Sequence, residues 1–420
     1  MHRRDFLRTS TLAGFLSLDN PARWLEEYPP VRALTSGPKF HWFGYYDKLQ
    51  FDPTSRYVLG MEVDFEGRSP QPGDSVRIGM IDTARGDTWT ELGSSRAWGW
   101  QQGCMVQWIP GSKTEVIWND LDGDHYVARI LDVKTRKLRT LPKAIYALSP
   151  DGRWGIGTEF SRINDLRPGY GYAPLRDPFF DEKAPQAIGL YRIDLKTGQS
   201  KVLMSLAEAA ALPHNGEDVR DNFHWFNHLL VNTDGSRITF LHRWRAKREE
   251  RQVMARTRFV TRMITMNPDG TDPFVIDPSG YTSHFVWRDP THICAYTRPA
   301  GMPQQFYVLE DRTLNIEPIR SEKMPVNGHQ TYVPGRHNKW LLNDNYAGAQ
   351  NRDQVPFLYH LPTDRRLDLG RFPAGTEYVG EWRCDLHPRC SPDGTKVCID
   401  STHGGNGRQL YLIDISRLLS

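Results

Sequence analysis

The chain has 420 residues, 39% hydrophobic and 11% aromatic, so it can bury a sizeable core, and its net charge of +3 is too mild to argue for nucleic acid. No apolar run approaches the ~18–20 residues of a membrane-spanning helix. Five cysteines, an odd number, exclude a disulfide scaffold, and 35 Gly with 29 Pro spread along the chain indicate many turns.

The N-terminus begins Met1-His2-Arg3-Arg4-Asp5-Phe6-Leu7-Arg8, with a short apolar stretch from Leu12 to Leu18. Paired arginines before x-Phe-Leu read as a twin-arginine export signal, which predicts a periplasmic or secreted protein. Residues 1–30 are therefore set apart as signal or tail, and 31–420 are read as one domain. From Phe51 onward one pattern recurs: a tight turn, a short alternating strand, a loop and further strands. Asp52-Pro53-Thr54-Ser55 turns into Tyr57–Val63, and Pro110-Gly111-Ser112 into Glu115–Trp118. Ser149-Pro150-Asp151-Gly152 opens a third unit and Thr233-Asp234-Gly235-Ser236 marks a fourth. A fifth starts at His284, a sixth near His329, and a seventh carries Ser391-Pro392-Asp393-Gly394 between Cys384 and Asp414. In these turns Pro sets φ and Gly accepts a positive φ.

Units of four short strands at a period of roughly 40–50 residues are propeller blades, and seven falls within the usual ~4–8. The predicted class is all-β, a seven-bladed β-propeller. Val31 to Trp42 is expected to supply a closing strand. Ser205 to Leu212 is the one helical patch, and 164–186 and 247–261 are insertions of the kind that shape a binding face.

Equivalent positions in successive blades converge on the central channel. His228, His284, His329 and His387 stand at corresponding places in units four to seven, so residues about 50 apart in sequence can surround one ion. The expected metal set is His228, His284, Cys384 and His387, with His329 as substitute. Imidazole with thiolate suits Zn²⁺ ahead of Mn²⁺ or Ca²⁺. The alternative is a set of polar residues lining a wet channel. A second constellation is Tyr146 and Arg162 in the third unit, with His125 just before it and His242-Arg243 on the matching strand of the fourth. Arg162 is expected to end a strand facing the channel.

Asn227-His228, Phe240-Leu241-His242, Met266-Asn267-Pro268-Asp269-Gly270, His284 and His387-Pro388-Arg389 resemble the oligogalacturonate-lyase type of propeller. Tyr146 and Arg162 around a Ser-Pro-Asp-Gly turn are similar to propeller-type ulvan lyases. The resemblance implies β-elimination on a uronic-acid-containing poly- or oligosaccharide, with a divalent metal in the channel. By position, His284 and His387 match metal ligands and His242 the catalytic base. The family's His-Pro-His, with a Gln upstream, is changed here to Arg389 and Cys384.

The reaction needs a cation for the uronate carboxylate (Arg162, Arg243 or a metal), a base (His125, His242 or Tyr146) and an acid (Tyr146). A tyrosine beside an arginine has its pKa lowered, because the cation favours the phenolate. The expected protein is a monomer. The rival reading is a non-catalytic, TolB-like propeller that binds a glycan or protein partner. A hydrolase would want facing carboxylates, for which Asp344 and Glu381 have no supporting spacing.

Overall fold

The computed structural model describes residues 28–252, 259–319 and 322–419. These form seven four-stranded antiparallel sheets, the blades of a propeller. Blade 1 runs from Phe40–Trp42 to Thr88–Ser95, blade 2 from Gln107–Trp108 to Leu138–Leu141, and blade 3 from Ala147–Leu148 to Ser200–Ser205. Blade 4 spans Phe223–Val231 to Phe274–Gly280 and blade 5 Phe285–Trp287 to Ile316–Pro318. Blade 6 spans Thr331–Tyr332 to Arg365–Asp368, and a two-stranded ribbon of Asp353–Gln354 with Phe372–Pro373 projects from it. In blade 7, Arg389–Cys390, Lys396–Ser401 and Gln409–Asp414 are completed by Val31–Ala33, which pairs Val31 with Ile413 and Ala33 with Tyr411. The first strand thus closes the last blade, and Phe40–Trp42 passes on as the innermost strand of blade 1.

The blades differ in exposure from inside to outside. Ile238–Arg245 is buried along its whole length because neighbouring sheets cover both faces, whereas the outer strand Thr88–Ser95 is largely exposed. The predicted turns recur in one form. Gly152 N–H donates to Ser149 O and Gly394 N–H to Ser391 O, each at 2.9 Å, with φ of 66° and 68° at the two glycines. A side chain at Gly152 would meet Pro110 O at 2.2 Å, so the turn needs glycine there for space as well as for φ.

The expected helix is present as α2, Leu206–Ala211. Ser205 accepts from Glu208 N while Glu208 reaches back to Ser205 N, a reciprocal cap. The strand expected to reach Arg162 stops at Gly157, and Phe160–Leu166 forms a further helix, α1, capped by Glu159. Phe160, Ile163 and Leu166 recur every three residues and are all buried, a helical stripe rather than strand alternation. No helix among the described residues is long and apolar enough to cross a membrane. The segment read as an export signal lies outside the described residues, apart from its last three positions.

Candidate active site

The channel histidines come together at one end of the propeller. His228 sits in a bulge of the innermost strand of blade 4, at φ 52°, where the register shifts between Asn227 and Leu230. His284 directly precedes the first strand of blade 5, and His329 and His387 lie two residues before those of blades 6 and 7. Ring centroids lie 4.5 Å apart for His284 and His329 and 4.3 Å apart for His329 and His387.

Ligand-capable atoms of His329, Asp385 and His387 all lie within 4.8 Å of one another. The hydrogen bonds show what this cluster lacks. Asn327 Nδ2 donates to Ser283 Oγ at 3.1 Å, which turns its Oδ1 towards His284 Nδ1 at 3.2 Å. His329 Nδ1 donates to the buried carboxylate of Asp344 at 2.9 Å. His329 therefore points an Nε2 lone pair at the Tyr346 hydroxyl at 3.2 Å, where His284 Nε2 also arrives at 3.4 Å. Asp385 Oδ2 is buried and accepts no hydrogen bond, although Arg383 Nε pairs with it at 2.8 Å. Imidazole nitrogens and a buried carboxylate oxygen converging on one point are what a cation satisfies, so His329, Asp385 and His387 fit a divalent metal. The Asp344–His329 contact is the kind of outer-shell bond that fixes a metal-binding imidazole.

This set differs from the one expected. His387 belongs to it, His329 takes a primary place, and His284 stands beside it with its ring 4.5 Å from that of His329. Cys384 does not belong: its neighbour Asp385, in the stretch leading to the strand Arg389–Cys390, supplies the donor instead. Burial pushes the Cys384 thiol up to about 12, among Arg408, Asp400 and Glu66, so it holds its proton. The exchange of thiolate for carboxylate removes the soft donor that had favoured Zn²⁺. His228 is also set aside, because its two ring nitrogens meet the hydroxyls of Tyr45 and Tyr46 at 3.4 and 3.1 Å.

The predicted catalytic residues part company. Tyr146 is fully buried beneath the channel floor and accepts from Gln102 Nε2 and His228 N–H at 2.7 and 2.8 Å; burial raises its phenol well above 10. Arg162 belongs to α1 and spends every donor inward: Nε to His224 O, Nη1 to Asp177 and Phe179 O, Nη2 to Glu182 O and Lys183 O. It folds the insertion of blade 3 and reaches no cavity. His125 is exposed at a hairpin of blade 2 beside Asp124. His242 is enclosed in blade 4. His224 Nε2 donates to Val219 O, so His224 Nδ1 accepts from His242 Nε2 at 2.8 Å, and Arg262 Nε donates to His242 Nδ1 at 3.1 Å. Both nitrogens of His242 are in use, and burial, with the charges around it, holds its pKa well below 6.5. Only Arg243 of the five opens to the mouth of the channel.

That mouth is a cavity of about 510 Å³ bounded by Tyr45, Tyr170, His284, Tyr346, Arg243 and Arg383. Tyr170, which sequence reasoning missed, follows α1. Burial by itself would raise its phenol, but the guanidiniums of Arg167 and Arg383 outweigh that and hold it below its ordinary value. Arg167 lies 3.9 Å over the ring and Arg383 Nη2 donates to the hydroxyl at 2.7 Å. Gln101 ties the two loops together: its backbone N–H donates to Gly169 O at 3.1 Å and its side chain to Glu381 O at 2.8 Å. Arg383 thereby links Tyr170 to Asp385 of the metal cluster. The sequence signal was Arg167-Pro168-Gly169-Tyr170, a basic residue and a tyrosine around a turn.

Structures of the same shape are known. An oligogalacturonate lyase in complex with manganese matches with a TM-score of 0.65 at 16% identity, covering 93% of this chain and 94% of that one. What the two share is the seven-bladed fold. An oligogalacturonate lyase from Vibrio parahaemolyticus matches at 0.63 with 15% identity and the same coverage. A puromycin-hydrolyzing peptidase of Mycobacterium tuberculosis matches at 0.51 with 12% identity, over 93% of this chain and 55% of that one. No family profile and no curated protein matches the sequence.

Proposed function

We propose that this protein is a lyase that cleaves a uronate-containing oligo- or polysaccharide by β-elimination at the channel mouth. The observation that carries the reading is Tyr170, a phenol held below its ordinary pKa, open to the same cavity as His284 and joined through Arg383 to the His329–Asp385–His387 cluster.

The C5–H of a uronate is too weakly acidic to lose while its carboxylate is fully charged. A divalent cation held by His329, Asp385 and His387 with His284, Mn²⁺ being the ion named for the similar lyase structure, would supply charge to neutralise that carboxylate. Arg243 adds to this from the cavity wall, since its Nε and Nη1 are buried without partners. The Tyr170 phenolate takes the C5 proton. The C5–H electron pair becomes the C4=C5 double bond, the C4–O glycosidic bond breaks, and the departing oxygen receives a proton from the Tyr170 hydroxyl on the same face. Arg383 and Arg167 favour the phenolate before the first transfer and after the second. The role expected of Tyr146 passes to Tyr170, with the same physical cause.

The test follows the ultraviolet absorbance of the unsaturated uronate product with a panel of uronans, with metal content measured on the same sample. Product formation that disappears in Tyr170→Phe supports the assignment. No product from any uronan, with one metal still bound per chain, would replace it with a non-catalytic glycan-binding propeller.

A further inference from the structure

The channel mouth continues past its own wall. Tyr281, where the chain crosses from Phe274–Gly280 of blade 4 to Phe285–Trp287 of blade 5, borders the cavity on one side and a groove of about 380 Å³ on the other. Ile276 and Leu309, on strands of the two blades, and Met302 and Leu314, in loops of blade 5, wall that groove. Tyr281, Met302 and Leu314 are three of the ten large hydrophobic side chains exposed among the described residues, and apolar surface gathered in one groove marks a binding site. The two spaces differ in charge. Arg167, Arg243 and Arg383 line the channel mouth with no carboxylate among them, whereas the groove holds one acid, Asp277, and one base, Arg298. Asp277 is fully engaged, accepting from the hydroxyls of Thr282 and Thr297 and from Ser279 N–H. The Arg298 guanidinium lies over the Tyr281 ring, 3.5 Å from its centre.

Apolar walls without surplus positive charge disfavour a second anion, because desolvating it costs more than the groove returns. They suit an uncharged group. Ser279, Thr313 and Asn315 add hydroxyl and amide groups to the lining. A neutral pyranose has the matching make-up: apolar C–H faces that lie on an aromatic ring, and an edge of hydroxyls. We infer that the groove beyond Tyr281 is a subsite for a neutral sugar, so that the preferred glycan joins a neutral unit to the uronate seated at the channel mouth. Tyr281, shared by the two spaces, is the step over which the linkage passes. The inference rests on the lyase reading for the seat of the uronate.

Calorimetric titration of the Mn²⁺-loaded Tyr170→Phe variant, chosen to preclude turnover, tests it with galacturonate, digalacturonate and the disaccharides of galacturonate with a neutral hexose in either order. One mixed disaccharide is expected to bind about tenfold more tightly than galacturonate, the worth of one stacked ring, and digalacturonate to gain less than about threefold. Two further substitutions address the groove, both at exposed side chains. Tyr281→Ala removes the platform, and Met302→Asp puts a charge in the groove while leaving Tyr281 in place. Each is expected to shrink the gain of the mixed disaccharide below about threefold. No gain for either mixed disaccharide, an equal gain for digalacturonate, or a gain that survives either substitution would overturn the subsite. Product absorbance of the parent protein judges the lyase reading separately, so a neutral-sugar gain without turnover keeps the subsite and removes the chemistry.

Discussion

Tyr146 and Tyr170 are both buried tyrosines in blade 3 and its insertion, yet their phenols move in opposite directions. Burial, with Asp47 adding to it, prevails at Tyr146, whereas two guanidiniums reverse its effect at Tyr170. Tyr170→Phe is expected to lower kcat by about 10²-fold or more, read as product absorbance. Arg383→Gln removes a cation that favours the phenolate, so the phenol pKa rises and the ascending limb of the pH–rate profile moves to higher pH. Arg162, with Asp177 fully buried beside it, is a structural residue. Arg162→Ala is expected to lose about 3–5 kcal/mol in denaturant unfolding, because it leaves the carboxylate buried without its cation. The His224–His242 pair adds a pH signature. Burial pushes His224 down to about 4, below the unfolded value of 6.5, so the unfolded chain binds protons first. Stability is expected to fall as pH drops from 6.5 towards 4, and less steeply in His224→Gln, measured as Tm against pH.

At the scale of elements, locally written features were legible and non-local ones were not. The cap of α2 was readable because Ser205 and Glu208 are three residues apart, and Ser205→Ala should cost about 1 kcal/mol of unfolding free energy. The turns at Gly152 and Gly394 likewise depend on neighbouring residues only. Helix α1 was read as strand because its stripe of Phe160, Ile163 and Leu166 follows directly on the alternating strand Trp154–Gly157. The closing strand was expected within Val31 to Trp42, and the segment holds two strands in different blades. Nothing in Val31-Arg32-Ala33 specifies a partner almost 400 residues away; the open edge of Gln409–Asp414 does. Deleting residues through Thr35 is expected to lower Tm and to raise light scattering on warming, since that edge is then free to pair between molecules.

In the whole molecule, the rotation of one blade to the next brings residues of separate repeats close enough to hold one ion. Mn²⁺ in large excess is expected to raise the Tm of the parent, by about 2.7 kcal/mol of added stability at a hundred times Kd, and to leave His329→Ala and Asp385→Ala unmoved. The propeller class, the number of blades and the register of His284, His329 and His387 were determined by the sequence alone, because a repeat carries its own period and turn chemistry. Which neighbour of a channel position joins the candidate metal cluster was decided by the tertiary structure: Asp385 rather than Cys384. The same holds for His242, closed off by His224 and Arg262, and for Tyr170, where the guanidinium of Arg383, 213 residues away, joins that of the neighbouring Arg167. A side chain's chemistry at these sites depends on burial and on partners brought by other blades, and neither is written in the residues beside it.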